Sequence, residues 1–167
     1  MNDAPRVRVP DGYNEIVQTF GDIRQCVGSD GLHLPEWEVA QLGTARLAFP
    51  LRLSWDQTIT VTKIKCHRLL VPCFEAVFKN LVKQDLARYI KTFGGCFNYR
   101  PQRDGTKLST HSWGIAIDLN PESNEQGTMG NMNPGVIKLF EALGFEWGGR
   151  WIQSRQDPMH FQYATSY

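Results

Sequence analysis

The run Ile-Ala-Ile-Asp-Leu at residues 115–119 is the strongest constraint on how this chain can fold. Ile115, Ile117 and Leu119 recur every second residue, the pattern of a strand with one buried face. Asp118 stands inside that run, between two aliphatic residues. A carboxylate placed there is costly unless a partner or a cation compensates it. His111 lies seven residues earlier, and on one straight strand that odd offset would put the two side chains on opposite faces. Gly114 stands between them, so the chain can turn after His111 and bring both side chains together. A second segment of similar character closes the chain. In Asp-Pro-Met-His-Phe-Gln-Tyr, residues 157–163, His160 opens an alternating run and Asp157 precedes it by three.

Two histidines and one carboxylate, His111, Asp118 and His160, are the ligand set of a catalytic zinc that keeps its fourth position for water. A further carboxylate beside that water would serve as general base, and Asp157 is the candidate. Spacing alone leaves the structural readings open. Taken one by one, each of these residues is more often structural than catalytic, and Asp118 and Asp157, each just ahead of a proline-containing turn, can cap those turns.

With 167 residues the chain suits a single domain. The net charge of +1 and the lack of a basic run give no case for nucleic acid or for an anionic membrane surface. The first residues show no apolar stretch behind a positive start, so no signal peptide is expected. No window approaches the roughly 18 apolar residues of a spanning helix. The expectation is a protein made in the cytoplasm, not inserted in a membrane, and monomeric. The four cysteines form no C-x-x-C pair and are expected as free thiols.

Along the chain, residues 1–12 read as an extended lead-in. Ile16, Val17 and Phe20 have helical spacing, and Gly21 would stop that helix. Residues 28–58 read as irregular, broken by glycines and prolines. Residues 57–66 alternate and read as a strand. Residues 67–83 form the clearest helix, with Leu70, Phe74, Val77, Phe78 and Leu81 on one face and Pro72 in the first turn. Residues 86–100 read as a short helix or strand, then a turn at Gly94-Gly95 and a short strand over 96–100. A strand over 114–120, a long polar loop, a helix from Pro134 ending before Gly144, and a last strand carrying His160 complete the reading. The class is α+β, with a small antiparallel sheet and flanking helices.

The residues also carry a resemblance. Ser109-Thr-His111-Ser-Trp-Gly114-Ile-Ala116-Ile-Asp118 reproduces the motif SxHxxGxAxD, and Asp157-Pro-Met-His160-Phe reproduces its distant second half. With Asn-Tyr-Arg at 98–100 and Phe-Glu-Trp-Gly-Gly-Arg-Trp at 145–151, this resembles the zinc D-alanyl-D-alanine carboxypeptidase and L-alanyl-D-glutamate endopeptidase family. The likeness covers about residues 60–163, and the helix near residue 13 is similar to the start of some phage members. It implies a hedgehog/D-Ala-D-Ala peptidase-like fold and one zinc ion held by His111, Asp118 and His160. It makes Asp157 the base and Arg100 the residue that binds the substrate carbonyl and steadies the oxyanion, a role in which a fixed cation is effective. Arg103 is the lesser candidate in the same loop. Ser109 would support the site by hydrogen bonding. Trp113, with Trp147 and Trp151, would either line a substrate groove or pack.

The implied partner is the stem peptide of bacterial peptidoglycan. Many carboxypeptidase members carry Glu where this chain has Asp157, and Asp is familiar in endopeptidase members. That favours an L-alanyl-D-glutamate endopeptidase of the phage endolysin type, acting on the wall after the inner membrane is permeabilised. A D-Ala-D-Ala carboxypeptidase or dipeptidase is the alternative within the class. A non-catalytic zinc-binding module of the hedgehog type is the alternative outside it.

Overall fold

Residues 28–58, expected to be irregular, contain the longest strand of the sheet. In the computed structural model, which describes residues 7–29, 35–103, 105 and 107–167, helix α2 covers Pro35–Gln41 and strand β1 covers Leu42–Leu53. Residues 30–34 of that stretch, and residues 1–6 of the lead-in, lie outside the described residues. Pro35 opens α2, a position where its missing N–H costs nothing. In β1 the buried positions alternate through Ala45, Leu47, Leu51 and Leu53. Pro50 stays in the strand because the register against the neighbouring strand shifts between Arg46 and Leu51, which takes it out of the regular ladder.

Helix α1 is Gly12–Phe20, with Ile16 and Phe20 buried and Gly21 just past its end. Strand β2 is Thr60–His67, antiparallel to β1. Helix α3, Val71–Lys83, follows a 3-10 turn at Arg68–Leu70, and Pro72 sits in its first turn as expected. Phe74, Val77, Phe78 and Leu81 form its buried face, which packs on β1. Each such side chain taken out of water stabilises the fold by roughly 1.5–3 kcal/mol.

Strand β3 is Thr92–Gly95, which corrects the expected turn at Gly94-Gly95 and the expected strand over 96–100. Pairing decides the matter: β3 lies between β1 and strand β4, Ala116–Leu119, and Gly95 stands opposite Asp118. Tertiary pairing overrides the local turn preference of two glycines. Helix α4, Pro134–Ala142, is capped by the Asn133 side chain, which accepts from the Gly135 N–H at 2.8 Å. Strands β5, Glu146–Trp147, and β6, His160–Gln162, complete the sheet.

The sheet has six strands in the order β2-β1-β3-β4-β6-β5, and only the β1–β3 pair is parallel. The protein is therefore α+β with a mostly antiparallel sheet. In β4 and β6, Ile117, Leu119 and Phe161 turn to the helix side, where Phe161 stacks on Phe140 of α4 at 4.2 Å. Asp118, His160 and Gln162 turn to the other side. All four cysteines are free thiols. Among the described residues, no helix is long and apolar enough to cross a membrane.

Candidate active site

Strands β4 and β6 pair with Asp118 opposite His160, so the two side chains meet across the ladder. Asp118 Oδ1 lies 3.0 Å from His160 Nδ1. His111 arrives from a 3-10 turn at Thr110–Trp113. The Ser109 hydroxyl caps that turn by accepting from the His111 N–H at 3.3 Å. Gly114 ends the turn with φ of +67°, and a side chain there would meet the backbone of Cys66 and His67. The chain does turn after His111, and His111 Nε2 comes within 3.2 Å of both Asp118 Oδ1 and His160 Nδ1.

Hydrogen bonds behind the two rings set which nitrogens face inward. His111 Nδ1 lies 2.7 Å from the Cys96 carbonyl, so Nδ1 carries the proton and Nε2 presents a lone pair. His160 Nε2 lies 3.2 Å from Gln162 Oε1 and 3.3 Å from the Thr110 hydroxyl, and the Thr110 hydroxyl itself donates to Gln162 Oε1 at 3.1 Å. His160 therefore donates from Nε2 and turns the Nδ1 lone pair inward. Two imidazole lone pairs and a carboxylate oxygen converge, with the three donor atoms within 4.8 Å of one another. That arrangement is repulsive without positive charge between the donors. The donor set fits a divalent ion of the zinc type. Without an ion a proton takes its place: burial alone would raise the Asp118 carboxyl, but a charged His111 and hydrogen bonds then donated by His111 and His160 outweigh it and hold it far below the usual range. Burial would lower His160, and the hydrogen bond and charge of Asp118 raise it instead.

Beside this trio a cleft of about 440 Å³ opens. Asp157, Asp118, His160, Ser109, Arg100 and Arg103 all contribute to its walls. His111 lies beneath, 2% exposed. Asp157 is set in place by backbone bonds: its N–H donates to the Gly148 carbonyl at 3.0 Å, and its carbonyl accepts from the His160 N–H at 3.1 Å. Its Oδ1 is buried without a hydrogen-bond partner among the described residues. Burial pushes its carboxyl up to about 6; Asp118 adds to the rise, and His160, Arg103 and His111 oppose it.

The two arginines differ. Arg103 is near enough to act on Asp157, and its Nη1 donates to Gln126 Oε1 at 3.0 Å. Arg100 Nη1 donates to the carbonyl of its neighbour Pro101 at 3.3 Å, while its backbone is clamped on both sides by the Ser112 hydroxyl. Trp113 is not a wall of the cleft. It is fully buried, its indole N–H donates to the Gly21 carbonyl at 2.8 Å, and Tyr13 and Tyr167 pack against it, so no face is left for a substrate. Trp151 is the tryptophan in the cleft, with its ring 5.4 Å from that of His160. Trp147 instead braces the turn before His160, donating to the Pro158 carbonyl at 2.8 Å.

Sequence reasoning passed over Gln162, Thr110 and the Cys96 carbonyl, and over Lys107 and Arg155, which also line the cleft. Gln162 carried a signal, because it stands two residues from His160 and must share its face of the strand. The carbonyl carried none.

A buried His-Asp-His set at the side of a cleft, with a partnerless carboxylate next to it, can hold a metal ion and take up a proton from a water. These are the components of metal-assisted hydrolysis. Residues 103–163 match the model of a family described as D-alanyl-D-alanine carboxypeptidase. The matched segment is less than half of the chain, and it contains His111, Asp118, Asp157 and His160, with Arg100 just ahead of it. Over that segment the chain is similar to that family. No curated protein matches the chain.

Proposed function

We propose that this protein is a zinc-dependent peptidoglycan peptidase that hydrolyses a bond of the stem peptide, most specifically the L-alanyl-D-glutamate bond. The observation that carries the reading is the placement of Asp157. A buried carboxylate oxygen with no partner among the described residues faces a cleft beside the His-Asp-His trio, where a purely structural aspartate would be hydrogen-bonded.

His111, Asp118 and His160 would hold the ion. When bound, zinc lowers the pKa of a water to about 7 and draws charge from a carbonyl oxygen. Asp157 takes the proton of the attacking water and returns it to the leaving amine. Arg100 supplies fixed positive charge to the oxygen that becomes anionic, with Arg103 the second cation of that wall. Ser109 contributes by holding the turn that carries His111. Trp151 offers an apolar surface to the peptide.

The endopeptidase assignment rests on Asp in place of Glu at position 157, the shorter side chain familiar in endopeptidase members. The matched family description favours the D-Ala-D-Ala carboxypeptidase as the second reading. In either case the protein acts as a monomer on the wall, is made in the cytoplasm and reaches its substrate once the inner membrane is permeabilised.

The test is mass spectrometry of purified Gram-negative peptidoglycan after incubation with zinc-loaded protein. Fragments with a freed D-glutamate amine are expected. Stems shortened only by a terminal D-alanine would replace the endopeptidase by the carboxypeptidase. No new fragment from a protein shown to contain zinc would leave the non-catalytic binding module.

A further inference from the structure

A second cleft, of about 770 Å³, lies apart from the one that holds Asp157. The two share the end of β4. Asp118 contributes to the first and Asn120 to the second, so their Cα atoms are at most about 7 Å apart. The segment between the clefts is held firmly. The Asn124 side chain, fully buried, donates to the Asn120 carbonyl at 3.0 Å and accepts from the Asn131 N–H at 2.9 Å.

The lining is rich in donors that are not consumed among the described residues. Asn131 and Asn133 each spend the side-chain oxygen inside the protein, on Asn124 and on the Gly135 N–H, and their amide NH2 groups meet no acceptor among the described residues. Arg52 and Lys91 make no ion pair among the described residues. The one carboxylate, Glu122, accepts from the Thr92 hydroxyl at 2.6 Å. The cleft therefore asks for a ligand rich in acceptor oxygens.

An aromatic ring completes the description. Tyr89 lines the cleft and is 41% exposed. A plain inorganic anion has no use for an exposed ring. A sugar ring has an apolar C–H face for an aromatic and a polar edge for amides and cations. We infer that the second cleft binds a saccharide, an N-acylated amino sugar, and that it seats the glycan strand whose attached peptide enters the first cleft. The identity of that polymer rests on the peptidase reading above. The chemical class of the ligand rests on the cleft itself.

The experiment is an NMR titration of the full-length protein with a disaccharide of N-acetylated amino sugars whose lactyl carboxyl is capped as its amide. It is repeated with inorganic phosphate and with the variants Tyr89→Ala and Arg52→Ala. Saturable shifts at the backbone amides of Lys91, Ser123 and Asn131 are expected. Each variant should weaken binding about five-fold, the loss of one hydrogen bond or ring contact. Both should still cleave a soluble stem peptide at the wild-type rate while losing rate on intact sacculi. Shifts confined to the first cleft, or no saturation by about 10 mM saccharide, a concentration at which even weak complexes form, would overturn the inference. So would phosphate binding as tightly and with the same response to Tyr89→Ala. If saccharide binds here but the wild-type protein cuts no stem peptide, the peptidase reading fails and the saccharide cleft stands.

Discussion

Asp118 and His160 face each other across the β4–β6 pair with Oδ1 and Nδ1 3.0 Å apart, and the same Asp118 oxygen is 3.2 Å from His111 Nε2. One carboxylate oxygen thus joins two histidines 49 residues apart in the chain. The ligand geometry is set by sheet pairing and by one capped turn.

Removing the ion should therefore loosen the β4–β6 region. A ligand bound only by the folded state adds about 2.7 kcal/mol at a hundred times its Kd. For a chain of this size that corresponds to roughly 5–10 °C of Tm. Differential scanning calorimetry with and without a chelator measures it. An unchanged Tm would argue against an ion joining these strands.

Asp157→Asn should keep the ion and lose cleavage by about 10²- to 10⁴-fold, the usual contribution of a positioned base. Metal content by mass spectrometry and peptide hydrolysis, measured on the same preparation, separate the two effects. Retained cleavage would remove Asp157 from its assigned role.

Gln162→Leu tests the bond behind His160. Without the acceptor, His160 is free to place its proton on Nδ1, the atom that faces the trio. Metal affinity should fall about 10- to 100-fold, as it does for such outer partners. Competition with a chromogenic chelator reads this directly, and unchanged affinity would show that Thr110 alone fixes the ring.

Gly148→Ala should act on Asp157 first and reach the trio only through the bond that the Asp157 carbonyl accepts from the His160 N–H. A methyl group at 148 would come within 2.5 Å of the Asp157 carbonyl oxygen, so the segment carrying the carboxylate must shift. Overpacking of this kind costs about 1–3 kcal/mol. A fall in kcat that outweighs any loss of zinc affinity is expected. Full activity would show that the position of Asp157 tolerates the shift.

His67 gives the fold an acid sensitivity of its own. It is fully buried beside Phe20 and Trp37, with Nδ1 accepting from the Leu69 N–H at 3.3 Å and Nε2 turned to the Phe20 carbonyl at 3.3 Å. Burial holds its pKa down to about 4; the Phe20 bond opposes this, and Arg68 adds to it. The unfolded chain binds this proton below about pH 6.5, while the folded chain refuses it until about pH 4. Stability is thus level above about pH 6.5 and falls as the pH drops towards 4, by about 2 kcal/mol between pH 6.5 and 5. Urea midpoints at those two values should converge in His67→Gln. An equal slope in the variant would place the acid sensitivity elsewhere.

The trio was legible in the sequence because its parts lie at the ends of alternating runs. An odd offset across Gly114 required a turn, and the turn is there. Strand β1 was not legible, because Gly43 and Pro50 read as breakers when β1 is considered alone. Its pairing with β2 and β3 and its irregular register supply what local propensity lacks. Gly94 and Gly95 misled for the same reason. Trp113 could not be told from Trp151 by composition. One fills the core and the other lines the cleft, and only the packing of Tyr13 and Tyr167 around Trp113 distinguishes them.

The alternation in β6 has a consequence for how errors in folding are handled. His160 and Gln162 face the cleft, while Phe161 between them stacks on Phe140. A slip of β6 by one residue would push the phenyl ring into solvent and the imidazole into the apolar layer. The same mistake would empty the core and dismantle the ligand set. A molecule that has closed its core around Phe161 has, by that act, also assembled its chemistry, and a misthreaded one is marked for unfolding before it can hold an ion.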